Sequence, residues 1–254
     1  MYAFVSGRYR VFLALAGILT IFTEAQVARP QSTMPAVNPG HAVNWTGLPK
    51  LPGGWSLLHG ENGETSVADG VLRIAPTVNT NLYHAPDGGF NRVNAPMVLF
   101  APEGDFTLKA KVSAQLLNIY DVGALVLYED DGHWAKLCFE NSIRREATIV
   151  SVVTRERSDD TNSETVASPF VYMAIARKDN QITLHFSRDG QQWRLVRAFQ
   201  MVFGPGLRVG FAAHTNDNSH FAATFSEITY HAGAPKNMWD LEPSDVAEQL
   251  HGKD

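Results

Sequence analysis

The densest chemistry in this chain lies in the run Gly123 to Glu140, GALVLYEDDGHWAKLCFE. If the residues behind the Asp130-Asp131-Gly132 turn form a strand, Trp134, Lys136, Cys138 and Glu140 share one face, and Ala135, Leu137 and Phe139 share the other. The second set reads as core. The first sets an indole, an ammonium and a carboxylate at alternate positions, about 6 to 7 Å from one to the next. The run Thr148 to Arg155 is expected to pair with this strand and continues through Glu156-Arg157-Ser158-Asp159, which could bring Arg155 or Thr154 alongside Lys136 or Glu140. The candidate ligand-binding set is therefore Trp134, Lys136, Glu140, Arg155, Ser158 and Asp159. A polar, aromatic-bearing sheet face is how sugar sites are built, the flat ring stacking on the sugar while charged groups bond its hydroxyls. The same residues equally describe a structural Lys136–Glu140–Arg155 ion network with Trp134 packed on aliphatic stems. Periodicity alone does not separate the two.

Lys136 and Glu140 stand four apart, so their Cα atoms should be about 13 Å apart on a strand. On this ground Glu140 is expected to pair with a cation from an adjacent strand, Arg155 or Arg177, rather than with Lys136. A carboxylate beside Lys136 is also expected to have a depressed pKa, which suits an acceptor rather than an acid.

Catalytic patterns are sparse. Two carboxylates flanking one glycosidic bond would stand about 5 to 10 Å apart, and the Glu-x-Asp-x-x-Glu strand pattern of sandwich-fold glucanases is absent. Glu129-Asp130-Asp131 is the nearest acidic cluster and reads as a solvated turn. No Gly-x-Ser-x-Gly elbow occurs, and Cys138 in mid-strand suits a buried, inert thiol. His214 and His220 flank Thr-Asn-Asp-Asn-Ser, a polar loop by this reading; Asn216, Asp217 and Asn218 could ligate Ca²⁺, but three small polar residues in a row more often make a turn. No catalytic residue, metal ligand or cofactor is assigned.

The elements that would position these residues are strands. Asp69-Gly70, Asp131-Gly132 and Asp189-Gly190 interrupt apolar runs, and such pairs mark hairpins because the turn needs positive φ. Leu72 and Ile74 oppose Val71, Arg73 and Ala75; Ile182, Leu184 and Phe186 oppose Thr183, His185 and Ser187; Phe106, Leu108, Ala110 and Val112 oppose Thr107, Lys109, Lys111 and Ser113. That alternation fits antiparallel sheets covered on one side. No helical period is sustained between 46 and 231, so nine to fourteen strands are predicted in an all-β, two-sheet antiparallel β-sandwich of Greek-key or jelly-roll type. A short helix is predicted over Asp245 to His251.

The 254 residues fit one sandwich domain over 45–232, between a linker at 26–44 and a polar tail at 233–254. Arg8 and Arg10 precede the apolar run Val11 to Phe22, too short to span a membrane but of signal-peptide length, which predicts cleavage after Ala25 and an exported, periplasmic or extracellular protein. The single cysteine excludes an intramolecular disulfide and Cys-based metal clusters. The formal charge of −5 disfavours nucleic acid and anionic membrane surfaces as partners.

Four stretches then resemble the regulation-of-enolase-like family, a domain of unknown function. They are Asp69-Gly-Val-Leu-Arg-Ile74; Asn94-Ala-Pro-Met-Val-Leu-Phe100 with Gly104-Asp-Phe-Thr-Leu108; Trp134-x-Lys136-x-x-x-Glu140 with Ser151-Val-Val-Thr-Arg-Glu-Arg-Ser-Asp159; and Phe186-Ser-Arg-Asp-Gly-Gln-Gln-Trp193 with Val209-Gly-Phe211. The resemblance covers about 50–230 and implies a concanavalin-A-like jelly roll with a carbohydrate-binding-like surface and no established reaction. Such sequences usually follow serine-aspartate with tryptophan, where this chain has Asp160, and tend to carry an aspartate and a tryptophan where it has Asn81 and Tyr83. The functional expectation is a secreted non-catalytic module recognising a glycan on one sheet face, against a polysaccharide hydrolase or a protein-binding sandwich.

Overall fold

The computed structural model describes residues 43–51, 53–239 and 241. The expected signal peptide, most of the linker and the helix over 245–251 lie outside the described residues. Sixteen strands are present among those described: β1 (Ser56–Leu58), β2 (Gly63–Ala68), β3 (Val71–Pro76), β4 (Leu82–His84), β5 (Asn91–Val93), β6 (Met97–Phe100), β7 (Phe106–Ala114), β8 (Val122–Asp130), β9 (His133–Asn141), β10 (Ala147–Arg155), β11 (Arg157–Thr165), β12 (Phe170–Lys178), β13 (Gln181–Ser187), β14 (Trp193–Gln200), β15 (Arg208–His214) and β16 (Ala223–Ala232). The excess over the expected count comes from three-residue strands such as β1, β4 and β5, too short to show an alternation in sequence.

Two seven-stranded antiparallel sheets form the jelly-roll sandwich: β1-β6-β15-β8-β9-β10-β11 and β14-β13-β12-β7-β16-β3-β2. The Asp-Gly turns sit where expected, with Asp69 and Gly70 at φ 50° and 76° linking β2 to β3. Between the sheets, the predicted inward sets meet as one core: Leu72, Ile74, Phe106, Leu108, Val112, Leu137, Phe139, Ile182, Leu184 and Phe186 are all essentially inaccessible.

One-sided burial fails for the first sheet. A two-stranded ribbon, β4-β5, lies over the outer face, and beneath it a second apolar cluster forms from Leu82, Met97, Ala124, Val126, Tyr128, Trp134, Cys138, Val150 and Val152. Trp134, Cys138 and Tyr128 therefore face away from the central core yet are 0 to 1% exposed. On the opposite sheet Leu241, from the segment expected to be a polar tail, is buried with Ala174 and Ala176. No helix among the described residues is long and apolar enough to cross a membrane.

Candidate functional site

The register of the first sheet decides which side chains meet. Short turns fix β9 between its neighbours, so Lys136 lies opposite Val126 on β8 and Val152 on β10, and Val152 lies opposite Asp160 on β11. Glu140 lies opposite Val122, which faces His214 on β15. With period-two alternation, these rows put Lys136, Glu140, Val152, Asp160 and His214 on the outer face. They line a cavity of about 330 Å³ with Asn81, Tyr83, Phe90, Tyr120 and Asn216.

Loops supply the walls. Asp121, fully buried, accepts hydrogen bonds from the backbone N–H of Leu117 and Asn118 at 3.0 and 2.8 Å, from the Thr215 hydroxyl at 2.7 Å and from the Asn218 amide at 2.8 Å. This carboxylate fastens the β7–β8 loop to the β15–β16 loop. Tyr120, its neighbour, is held at φ 66°, a costly conformation for a bulky residue, with its N–H donating to the Asn141 carbonyl at 2.8 Å. On the opposite side, the Asn79 and Thr80 N–H groups donate to the carbonyls of Asn216 and Thr215, and the Asn81 amide donates to Asn216 Oδ1 at 3.3 Å. That zipper places Asn81 and the start of β4. The candidate Ca²⁺ ligands make such loop contacts as well: Asp217 accepts from the Asn118 amide at 3.0 Å, and Asn218 donates to Asp121.

The floor is charged and buried. Lys136 is 3% exposed and its ammonium donates to His214 Nε2 at 3.0 Å, which fixes His214 as the neutral tautomer with its proton on Nδ1. That Nδ1 has no partner among the described residues. Burial, and then the Lys136 charge, holds the His214 pKa well below the usual histidine value. Glu140 is 9% exposed and accepts no hydrogen bond and no ion pair within 4 Å among the described residues. Burial lifts its carboxyl to about 7, against the pull of Lys136 and with a further push from Asp160. Asp160 is raised by burial too, opposed by Lys136 and by the Thr161 backbone. Tyr83 and Tyr120 are also raised, by burial first and then by anionic neighbours that include Asp160 at both phenols and Glu140 at Tyr120.

Several expectations are corrected here. Lys136 and Glu140 line the cavity, but Trp134 is sealed beneath β4: its indole N–H donates to the Asp131 carbonyl at 3.1 Å, and its ring meets His84 edge-on at 6.4 Å. Ser158 is buried with it, bonding the Thr154 hydroxyl at 2.8 Å and accepting from the His84 N–H at 3.0 Å. Arg155 lies opposite His133, at the far end of β9 from Glu140, and donates to the Gln200 carbonyl. Asp159 points off the cavity face and pairs with Arg197 at 2.6 Å. Neither Arg155 nor Arg177 partners Glu140; Arg177, in the other sheet, donates to the Asp179 carbonyl. Antiparallel register is the reason, since it sets Thr148 rather than Arg155 beside Glu140. The Glu140 pKa is raised, not depressed, because desolvation outweighs one cation.

Sequence reasoning missed Asn216 and His214 as wall and floor, although Gly210, Ala212 and His214 alternate on β15 as Lys136 does on β9. It also missed Phe90 and Tyr120, which lie outside regular alternation. The three positions where the chain departs from the resembling sequences, Asn81, Tyr83 and Asp160, all line the cavity.

Among curated proteins the chain is 24% identical over 173 residues to Regulation of enolase protein 1 of Saccharomyces cerevisiae, covering 68% of this chain and 87% of that one. This match overturns the expectation of export: the relative is a yeast protein named for the regulation of enolase. Among solved structures, a functionally unknown protein from Saccharomyces cerevisiae superposes with a TM-score of 0.61 at 21% identity, over 70% of this chain and 98% of that one. A xylan β-1,4-xylosidase from Bacillus halodurans C-125 does so with a TM-score of 0.54 at 16% identity, over 65% of this chain and 33% of that one. These likenesses show the sandwich fold. The family described as "Protein of unknown function (DUF1349)" matches residues 60–232, and the chain belongs to it.

Proposed function

We propose that the protein is a non-catalytic module that binds a saccharide in the cavity on the outer face of its first sheet. The observation that carries this reading is a wall of aromatic rings, Tyr83, Phe90 and Tyr120, standing over a floor with unspent hydrogen-bonding capacity. Lys136 retains ammonium protons beyond the one given to His214, and the Glu140 carboxylate is buried without a donor. Sugars present both an apolar ring face and a dense set of hydroxyl donors and acceptors, which is the chemistry those groups lack. The volume of about 330 Å³ sits at the small end of ligand pockets, which suits one or two rings rather than a long chain segment. The xylan-acting protein that shares the sandwich accords with this ligand class.

Calorimetric titration of the full chain with mono- and disaccharides tests the reading. Binding in the micromolar to millimolar range that is lost in Lys136→Ala and in Tyr120→Ala supports it; no heat with any saccharide at millimolar concentration rejects it.

One observation favours a second reading. Glu140 and Asp160 are two carboxyls of raised pKa in one cavity, and a general acid near pH 7 beside a second carboxylate is the equipment of glycoside hydrolysis. Release of aryl leaving groups from aryl glycosides, abolished in both Glu140→Gln and Asp160→Asn, would establish hydrolysis instead.

A further inference from the structure

We infer that the ligand of this cavity carries a protonated amine, making it an amino sugar rather than a neutral or acidic one, with its ammonium seated against Glu140 and Asp160. This rests on the saccharide reading and specifies its chemical class.

The first observation is the charge count at the floor. Facing Glu140 are Lys136 from its own strand, Asp160 from β11, His214 from β15 and Tyr120 from the β7–β8 loop; Thr148 and Val122, its strand neighbours, are uncharged. His214 is neutral by its hydrogen bond with Lys136. Within the cavity one cation, Lys136, therefore stands among two carboxyls, with Arg197 acting on Asp160 from outside it. The second observation is geometric and independent: Glu140 is nine-tenths buried, lines the cavity and has neither donor nor ion pair within 4 Å among the described residues. The third lies at the mouth, where Asp160, Glu140 and Asp87 act on the phenols of Tyr83 and Tyr120, while the Arg92 guanidinium stands over the wall ring Phe90 at 5.1 Å.

A ligand that closes this cavity strips water from the negative charge Glu140 carries, about a quarter of a unit at pH 6.5 for a pKa of about 7. Neutral hydroxyls can donate to Glu140 but leave that charge unbalanced, and burying an unbalanced charge is costly. A uronate adds to the imbalance. An ammonium cancels it and donates up to three hydrogen bonds. Because burial holds the empty-site Glu140 carboxyl near 7, an arriving cation should also drive its ionisation, so binding expels a proton.

The experiment is calorimetry of the full chain at pH 6.5, where the amine is protonated, with 2-amino-2-deoxyglucose, glucose and glucuronate, each in two buffers of different ionisation enthalpy. The amino sugar is expected to bind at least tenfold tighter than glucose, with glucuronate weakest, and to release up to about three quarters of a proton per site. Glu140→Gln should abolish proton release and reduce the preference for the amine to within about threefold. Asp160→Asn provides a second reading, lowering the preference while retaining proton release. Glucose binding as tightly as the amino sugar, proton uptake, or glucuronate binding best overturns the inference and leaves the saccharide site standing. No binding by any of the three, nor by other saccharides, overturns both.

Discussion

Two buried carboxylates in this molecule, Asp121 and Glu140, are treated in opposite ways. Asp121 is 0% exposed and receives four hydrogen bonds, two from backbone N–H groups and two from side chains. Glu140 is 9% exposed and receives none among the described residues. Water given up on folding is replaced at the first and not at the second. Asp121 is thus a fastener whose work is complete in the folded chain, while Glu140 faces a cavity with its carboxyl unmet among the described residues. The same division runs along one face of β9. At its beginning, Trp134 is closed over by β4 with its N–H satisfied; farther along, Lys136 and Glu140 line the cavity.

The sharpest way to break this contrast is Asp121→Ala. It would orphan four donors in the loops that hold Tyr120 and Asn216, each unmet buried group costing about 1 to 3 kcal/mol. We expect a loss above about 4 kcal/mol, seen as a large drop in denaturation midpoint. A loss below about 1 kcal/mol would show that the clasp is ornamental.

Lys136→Met should come next, and its effect should depend on pH. Removing the one cation that lowers the Glu140 pKa raises that pKa further above its unfolded value. A raised carboxyl contributes stability that is fully present below the unfolded pKa and lost as pH rises through the folded one. The deficit should therefore be larger at pH 8 than at pH 5 by up to about 1.4 kcal/mol, on top of a loss of about 1 to 3 kcal/mol at both pH values from leaving His214 Nε2 without its donor. Urea midpoints at the two pH values check it; an equal loss at both would mean that packing, not charge, is what Lys136 supplies.

Glu140→Gln should have a smaller effect of opposite sign. Holding the ionised Glu140 in the fold at pH 8 costs about 3 kcal/mol, from a pKa of about 7 against 4.5 when exposed. Gln removes that cost but leaves Lys136 less well balanced, so a net gain of about 1 to 2 kcal/mol is expected at pH 8 and none near pH 4.5. Acidification should then hurt the variant more steeply than the parent. His214 and His185, both held neutral by burial with pKa values depressed, the latter to about 4, lose stability as pH falls below about 6.5, and the opposing contribution of Glu140 is gone. A destabilised variant at pH 8 would show that Glu140 is paired in solution after all.

The sequence made the sandwich legible because its central strands carry long alternations: the inward sets of β3, β7, β9 and β13 were all identifiable from period two. The face of β9 holding Trp134, Lys136, Cys138 and Glu140 was legible for the same reason. What lay over that face was not. β4 and β5 are three residues each, so nothing in the pattern announced that a ribbon would bury Trp134 and wall one side of a cavity. Pairing register was the other blind spot. Alternation says which face a residue takes but not which row, and the row separates Arg155 from Glu140 and brings Asp160 into line with Lys136. Asp160 and Tyr83 were noticed only as departures from resembling sequences, and His214 only as the edge of a loop.

The smallest predicted effect concerns the residues on the wrong side of that register. Asp159 is bonded to Arg197 at 2.6 Å, with the carboxylate side chain 64% exposed, and Arg155 reaches the Gln200 carbonyl across the sandwich edge. Exposed pairs of this kind contribute about 0 to 1 kcal/mol, since solvent screens the charges and ordering two side chains costs entropy. Asp159→Ala and Arg155→Ala should therefore lower stability by less than about 1 kcal/mol and leave saccharide affinity within about twofold of the parent. Measured beside Lys136→Ala, these two variants test whether the cavity or the whole polar end of β10 and β11 contacts the ligand. A tenfold loss of affinity in either would extend the site past Asp160 to the sheet edge and dissolve the boundary between scaffold and site drawn along β9.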